Sequence, residues 1–412
     1  MTDRSSQSMA KSSTKRYPVL VLLILVVAFY ARQDRVSTKD AGDDSEQAPT
    51  TEAARGSYLG QDTEPAKRPS DWNWIRRTYP FYRADRDAIR IALEGRTPML
   101  SSAKSGQNAW TFLGPTNIGG RVVDIEYNTK NPDIVYFGAA TGGIFKSDDG
   151  GATWRPIFDD QAVMTVGDIG IDPNYPDTIY VGTGEANGGH NNFSGGGIYK
   201  SVDGGQNWTY SGLEDVVSIG RVVVDPANSE RVFVAAVGSY FSPQPERGVY
   251  RSEDGGTTWN NVLSVSDSTG AIDLVINSRS PDTLFAATWE RVRRPNGNVF
   301  LHGAGSAVWR SIDGGDTWQE LGAANGLPDP DAYLDGTGRP TFGRIGLAIN
   351  ESDPSNVYAH FTDGFRFLGL YRSRDGGDSW NEVPSVAGLQ SIFSNFSWYF
   401  GQVRVMPSDP ET

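Results

Sequence analysis

From Gly120 onward the apolar positions fall in short runs that alternate with polar residues or are wholly apolar. Gly, Pro, Asp and Asn separate them, and long helical patterns are nearly absent. Three kinds of run recur in a fixed order. The first reads GRVVDIEYN, TVGDIGIDP, IGRVVVDPA, GAIDLVINS and GRIGLAIN. The second reads NPDIVYFGA, YPDTIYVGT, SERVFVAAV, SPDTLFAAT and PSNVYAHF. The third reads GGIFKS, GGIYKS, RGVYRS, SAVWRS and LGLYRS. Residues such as W-R-P-I-F, which follow each third run after a turn, supply a fourth. Each run has the length and β-branched or aromatic content of a strand.

The turn after the third run is the Asp-box S-x-D-G-G-x-[TNS]-W: SDDGGATW (Ser147–Trp154), SVDGGQNW (Ser201–Trp208), SEDGGTTW (Ser252–Trp259), SIDGGDTW (Ser311–Trp318) and SRDGGDSW (Ser373–Trp380). Successive serines stand 54, 51, 59 and 62 residues apart. Four short strands repeated at that period predict an all-β fold, a β-propeller of four-stranded blades. We label the strands a to d from the inside out. The a–b turn carries the D-P-x-x-P-D string, and the box is the c–d turn. Its glycines supply positive φ, its Asp accepts backbone N–H bonds and its Trp packs between strands. Asp149, Trp154, Asp203, Trp208, Asp254, Trp259, Asp313, Trp318, Asp375 and Trp380 are therefore read as structural.

The pattern predicts five complete blades over 108–412 and the start of a sixth. YFGQVRVMPSDPET reads as strand a of that blade and stops in its a–b turn, which implies a larger, truncated propeller. Upstream the pattern changes. Residues 1–16 form a basic n-region with Lys11, Lys15 and Arg16, and 17–31 form an apolar run that fits a signal peptide or a short signal anchor. Phe29 at the −3 slot before Ala31 makes a poor cleavage site, which favours the anchor. Residues 32–70 read as a solvated tether. Within 71–100, Ala84, Ala88, Ile91 and Ala92 recur at helical spacing, predicting one short helix docked through the aromatics near Trp72. The chain is thus expected in the cell envelope or outside the cell, with residues 17–31 as its contact with a membrane.

Composition narrows the chemistry. The net charge of −13 argues against a nucleic-acid partner, which would need a basic stripe. The chain has no cysteine, so disulfides, thiolate metal sites, a Cys nucleophile and a lipid-anchoring Cys are all excluded.

The strings WTFLGPTNIGGR (110–121), GTGEANGGHNNFSGGGIYKS (182–201), IGRVVVDP (219–226), RGVYRSEDGG (247–256), TGAIDLVI (269–276) and FGRIGLAI (342–349) resemble the sortilin-like N-terminal propellers of bacterial exported proteins, often labelled "glycosyl hydrolase, BNR repeat". The resemblance covers roughly residues 72–412. It implies an extracytoplasmic propeller, and its label speaks to fold more than to activity. The Asp-box itself is shared with sialidases, xyloglucan-active hydrolases, sortilins and photosystem assembly factors.

In this topology the a–b turns and the boxes share one face, and the b–c and d–a loops share the other. Function is expected on the second face, where loop length varies. The long b–c loops are 185–196, 238–247 and 289–305, and they hold His190 and His302; His360 falls on strand b of blade 5. Aligning the a strands by Ile125/Tyr127, Ile169/Ile171, Val222/Val224, Leu274/Ile276 and Leu347/Ile349 leaves a polar register of Asp124, Asp168, Arg221, Asp273, Gly346 and Gln402 near the channel mouth. Glu185, at the end of strand b, lies beside Asp168. Such a pair could divide into an acid and a base, with Asp273 as a further candidate, or hold a hard cation such as calcium. The structural alternative is that the ring residues bond to neighbouring backbone or to one another and lock blade to blade. No cofactor is implied. No metal site is predicted, because His190 and His302 lack ligand spacing.

Three functions compete on these residues. The first is a binding module for a peptide, protein or carbohydrate, with Arg221, His190, Phe193, Tyr240, Phe241, Trp289, Glu290 and Arg291 as contacts. Arg291, Arg293 and Arg294 read as a solvated loop face. The second is a glycoside hydrolase using Asp168, Glu185 or Asp273. Against it, the sialidase-type R-I-P motif is missing, and Arg121, Arg221 and Arg344 sit in different registers rather than forming an arginine triad. The third is a structural domain of a longer exported protein. The residue pattern favours the non-catalytic binding module.

Overall fold

A computed structural model of the protein describes residues 120–411, apart from 188, 190–191, 241, 294–298 and 385–395. The expected signal or anchor, tether and docking helix lie outside the described residues. The fold is a β-propeller of five antiparallel four-stranded sheets, each built from consecutive strands in the order a–b–c–d. Blade 1 holds β1 (Val122–Tyr127), β2 (Val135–Ala139), β3 (Gly143–Ser147) and β4 (Arg155–Pro156). Blade 2 holds β5 (Val166–Ile171), β6 (Ile179–Thr183), β7 (Ile198–Ser201) and β8 (Thr209–Tyr210). Blade 3 holds β9 (Ile219–Asp225), β10 (Asn228–Ala236), β11 (Gly248–Ser252) and β12 (Asn260–Leu263). Blade 4 holds β13 (Thr269–Ile276) and β14 (Leu284–Glu290), then a small hairpin of β15 (Val292–Arg293) and β16 (Val299–Phe300), then β17 (Val308–Ser311) and β18 (Gln319–Leu321). Blade 5 holds β19 (Ile345–Ile349), β20 (Val357–Thr362), β21 (Phe367–Ser373) and β22 (Asn381–Glu382).

The core lies between blades. Ile144, Val166, Ile169 and Val181 join blades 1 and 2; Tyr180, Ile219, Val222 and Val234 join blades 2 and 3. Phe233, Val249, Leu274 and Ala286 join blades 3 and 4, and Phe285, Val308, Leu347 and Ala359 join blades 4 and 5. Blade 1 departs from the expected apolar register. Ile125 and Tyr127 are exposed, because no described blade covers the face that is covered in blades 2 to 5.

The segment read as a sixth strand a begins differently from expectation. Ser397–Phe400 form a single helical turn, α1, and no strand follows it among the described residues. From Gly401 the chain runs beside β19. A Cβ on Gly346 would lie 2.8 Å from the Gly401 carbonyl, and Asn350 Nδ2 donates to Met406 O at 2.7 Å.

Two repeated contacts fix the outer part of each blade. In every box the Ser Oγ bonds the Asp Oδ1, as in Ser147–Asp149 at 2.8 Å, and the second Gly N–H donates back to that Oγ. The residue four positions after the Asp binds the same carboxylate through its backbone N–H and side chain, as Thr153 does at 2.8 and 2.7 Å. Those bonds push all five carboxyls down to about 2. The first box Gly also donates to the a–b turn of its own blade, as Gly204 does to Asp177 O at 2.9 Å, so the two turns share a face. The second contact crosses between blades. The basic residue before each box Ser reaches the carbonyl of the first box Gly in the next blade: Lys146 to Gly204 at 3.1 Å, Lys200 to Gly255 at 2.9 Å, Arg251 to Gly314 at 2.7 Å and Arg310 to Gly376 at 3.2 Å. The K/R-S string thus encodes a latch between blades. Arg372, the fifth in the series, grips Glu411 at 2.6 and 2.8 Å.

Two outcomes follow. Arg251→Met deletes one charge-assisted latch and should cost about 1–2 kcal/mol, a fall in Tm of roughly 2–6 °C by calorimetry. A carboxyl held at about 2 stabilises the fold above its unfolded value and loses that contribution as pH falls toward 2. Asp313→Asn should therefore lower Tm at pH 7 and flatten the decline of Tm between pH 4 and pH 2.

Candidate functional site

Strand a carries a bulge near the loop face in four blades. The pairing skips one residue between Val122 and Asp124, Val166 and Asp168, Ile219 and Arg221, and Ala271 and Asp273. A bulge re-aims the following side chain, and here it turns the polar register toward the next blade. Space at the bulge is tight: a Cβ on Gly167 would lie 2.0 Å from Ile219 O.

The re-aimed carboxylates bind the next strand a. Asp124 Oδ2 accepts the Ile169 N–H at 3.0 Å, Asp168 Oδ2 that of Val222 at 2.7 Å, and Asp273 Oδ2 that of Leu347 at 3.0 Å. In blade 3 the position holds Arg221. It donates from Nη1 to Asp168 Oδ1 and from Nε to Asp273 Oδ1, both at 3.1 Å. Burial pushes Asp124 and Asp168 up, and Arg221 only partly offsets this. For Asp273 the cation prevails over burial and holds the carboxyl below its usual range. Deeper in the channel, burial followed by Asp124 lifts Glu126 to about 8.

Glu185 belongs to a second cluster at the channel mouth. Gly184 adopts φ 84°, and a Cβ there would lie 2.0 Å from Val217 O. That left-handed turn sends residues 185–187 across the mouth. Glu185 is fully buried; its carboxylate accepts Arg121 Nη2 at 2.5 Å and Tyr399 Oη at 3.0 Å. Its carbonyl accepts Tyr240 Oη at 2.5 Å and Asn192 Nδ2 at 3.0 Å. Ala186 O accepts Arg291 Nη1 at 3.3 Å, and Asn187 Oδ1 accepts Arg344 Nη1 at 2.5 Å and Gln402 Nε2 at 3.4 Å. The Glu-Ala-Asn segment is thus a plug held by groups from blades 1, 3, 4 and 5 and from the segment after blade 5. Burial lowers Arg344 to about 10, so it stays charged at neutral pH.

The expected contacts divide. Asp168 and Glu185 are both buried and each has a cationic partner, so neither stands as a free member of an open acid–base pair. Arg291, expected on a solvated face, is buried and sandwiched 3.8 Å from the Tyr240 ring centroid and 4.4 Å from that of Trp289. The blade-4 loop folds back as a hairpin and buries what its length suggested was free. Trp289 is buried with Nε1 bonded to Leu301 O at 2.8 Å, and Tyr240 is buried as well. Glu290 pairs with Arg339 and accepts the Gly305 N–H at 2.9 Å. Phe193 keeps 48 % of its surface exposed. His190, Phe241 and Arg294 lie outside the described residues. His302 Nδ1 is 3.1 Å from Pro340 O, while His360 is buried, stacked on Phe367 and lowered to about 4 by desolvation. Among the described residues no group of three His, Asp or Glu side chains is placed to hold a metal ion. Sequence reasoning missed Arg121, Arg344, Asn187 and Tyr399 as parts of one cluster. The signal available was the Gly-Glu step in GTGEAN, where a left-handed turn precedes a carboxylate.

No family model matches the chain. It is 27 % identical over 357 residues to a xyloglucanase of a Paenibacillus species, covering 70 % of this chain and 34 % of that protein. A xyloglucanase of Acetivibrio thermocellus is 27 % identical over 373 residues, covering 72 % of this chain and 43 % of the relative. Among solved structures, an ancestral GH74 enzyme aligns at 20 % identity with a TM-score of 0.48, covering 67 % of this chain and 33 % of that one. The chain therefore spans less than half the length of these curated relatives. The relatives are glycoside hydrolases, so the non-catalytic preference drawn from the residue pattern gains no support from them. Among the described residues no helix is long and apolar enough to cross a membrane; residues 17–31 lie outside them.

The ring gives a test with a defined sign. Arg221→Met leaves Asp168 and Asp273 buried without their cation, at a cost of about 3–5 kcal/mol at neutral pH. Asp273 then rises above the unfolded value and Asp168, already raised, rises further, so stability is retained below about pH 4 and lost as pH rises. Urea unfolding should show a larger deficit at pH 8 than at pH 4.

Proposed function

We propose that this chain is the propeller portion of an exported glycoside hydrolase of the xyloglucanase type, with its loop face holding a xyloglucan-like β-glucan. The observation that carries the reading is the similarity, covering 70 % of this chain, to a relative named as a xyloglucanase. The loop face around the Glu185 plug suits it. There Arg121 keeps 41 % of its side chain exposed above a buried carboxylate, so the cluster borders solvent. The hydrolytic step belongs to the whole protein to which this propeller contributes. The resemblance to sortilin-like exported propellers agrees with a place outside the cytoplasm.

A second reading, glycan binding without turnover, draws on the same geometry. Asp168, Asp273 and Glu185 are all committed to Arg, Tyr or backbone partners. Incubating the whole exported protein that contains this propeller with xyloglucan separates the two. Released oligosaccharides support hydrolysis, and retention in a xyloglucan-containing gel without release supports binding alone. Neither retention nor release would sink both. Glu185→Gln keeps an acceptor for Tyr399 and removes the charge facing Arg121. If Glu185 takes part in turnover, release should fall at least tenfold.

A further inference from the structure

Strand pairing sets one residue from each of strands a, b and c in a row across every blade. In blade 2 the row Ile169–Val181–Tyr199 packs on blade 1, and in blade 3 the row Val222–Val234–Tyr250 packs on blade 2. Blades 4 and 5 repeat the arrangement. The same row in blade 1 is Ile125–Phe137–Phe145. Its rings gather, Phe137 lying 4.8 Å from Phe145 and 4.6 Å from Trp154 between centroids, yet no described blade covers them. Ile125 is 64 % exposed, and Trp154 is the one box tryptophan of the five that is exposed, at 39 %. An apolar face of this size has an occupant.

The other blades show what the occupant must supply. The Trp208 indole donates to Ile157 O, and the Trp259 indole to Ser211 O, both at 2.7 Å. Ile157 and Ser211 hold the same place in the repeat, third after the box Trp of the preceding blade. The second box glycine meets that place as well. A Cβ on Gly205 would lie 2.4 Å from Ile157 Cδ1, and one on Gly256 2.5 Å from Ser211 Oγ. The cover over each box Trp is therefore strand d of the blade before it.

Residues 110–114, outside the described residues, read W-T-F-L-G, beside W-Q-E-L-G at 318–322. Trp110 stands 12 residues before Val122, where β1 begins, and Trp154 stands 12 residues before Val166, where β5 begins. The string thus has the composition and the register of a strand d whose next strand a is β1. Its place three after the tryptophan is Leu113.

We propose that residues 110–114 cover the open face of blade 1 as strand d of an adjoining blade. The Leu113 carbonyl accepts the Trp154 indole N–H, and the Leu113 side chain lies over Gly151. The space is there: a Cβ on Gly151 would meet only the Trp154 ring, at 3.4 Å. The indole now donates to Gly151 O of its own box at 3.0 Å, as Trp318 and Trp380 do to theirs, and it exchanges that acceptor for Leu113 O. A second copy of the chain is the competing occupant. A segment joined to β1 by a short connection has the advantage, since tethering raises its local concentration to the order of 1 mM.

Benzoylphenylalanine in place of Leu113, in the whole exported protein that contains this propeller, tests the placement by photo-crosslinking and peptide mapping. The crosslink should fall on the blade-1 box, residues 147–154. A crosslink to another blade or to a second molecule overturns the proposal, and so does the absence of any crosslink. A double-mutant cycle gives a second readout. Leu113→Asp and Trp154→Ala should each lower Tm by roughly 2–6 °C. Together they should lower it by less than the sum, because both remove one contact. Strict additivity overturns the contact.

Discussion

A propeller has no continuous hydrogen-bonded ladder between its blades, so side chains must carry much of what joins one sheet to the next, beside isolated backbone bonds such as Ile219 N–H to Gly184 O at 3.4 Å. In this protein a recurring join near the axis is a strand-a carboxylate accepting the backbone N–H of the next strand a, with Arg221 pairing Asp168 and Asp273 across blade 3. Asp124, Asp168 and Asp273 each make it, at 2.7–3.0 Å. The bulge one residue earlier aims them, and glycine at 167 lets the neighbouring backbone come close enough. Three carboxylates near one axis repel and resist burial, and Arg221 in blade 3 supplies the cation that keeps Asp273 ionised. Blade order around the axis is thus written in electrostatics as well as in packing.

The outer and inner joins differ in physical kind. At the rim, the Lys or Arg before each box grips a glycine carbonyl in the next blade, a contact that solvent partly screens. At the axis the ion pairs are buried, and losing one partner is far more costly. Between these lie the apolar clusters shared by adjacent blades, which carry the bulk of the burial. The Glu185–Asn187 plug closes the loop-face end of the channel. Because it receives groups from blades 1, 3, 4 and 5, it is positioned by the assembled ring rather than by its own blade. The helical turn at Ser397–Phe400 is tied to the same segment through the Tyr399 hydroxyl and Glu185.

The repeat was legible in the sequence because its signals are local. Ser-x-Asp-Gly-Gly closes on itself within a few residues, and alternation in runs such as GRVVDIEYN or TGAIDLVI places strands without reference to distant chain. The polar register of strand a was legible too, since it needed only an alignment of repeats. Its partners were not, because Val222 and Leu347 lie 54 and 74 residues from the carboxylates that bind them. The blade-4 loop shows the opposite failure. Length and basic residues suggested an open contact face, yet Arg291 packs between Tyr240 and Trp289 once the hairpin folds back.

What the sequence by itself determined is the blade: its strands, its two turn types, and which face each turn occupies. Short-range hydrogen bonding and period-2 patterning suffice for that. Only the tertiary structure decided the fate of the charged residues. Whether Asp168, Glu185 or Arg121 meets solvent or a partner depends on what neighbouring blades bring to the axis, up to 214 residues away in the case of Tyr399 and Glu185. A carboxylate looks the same in sequence whether it is free to react or committed to an arginine. Burial and the identity of its partner distinguish the two, and both are set by how the blades assemble around the axis.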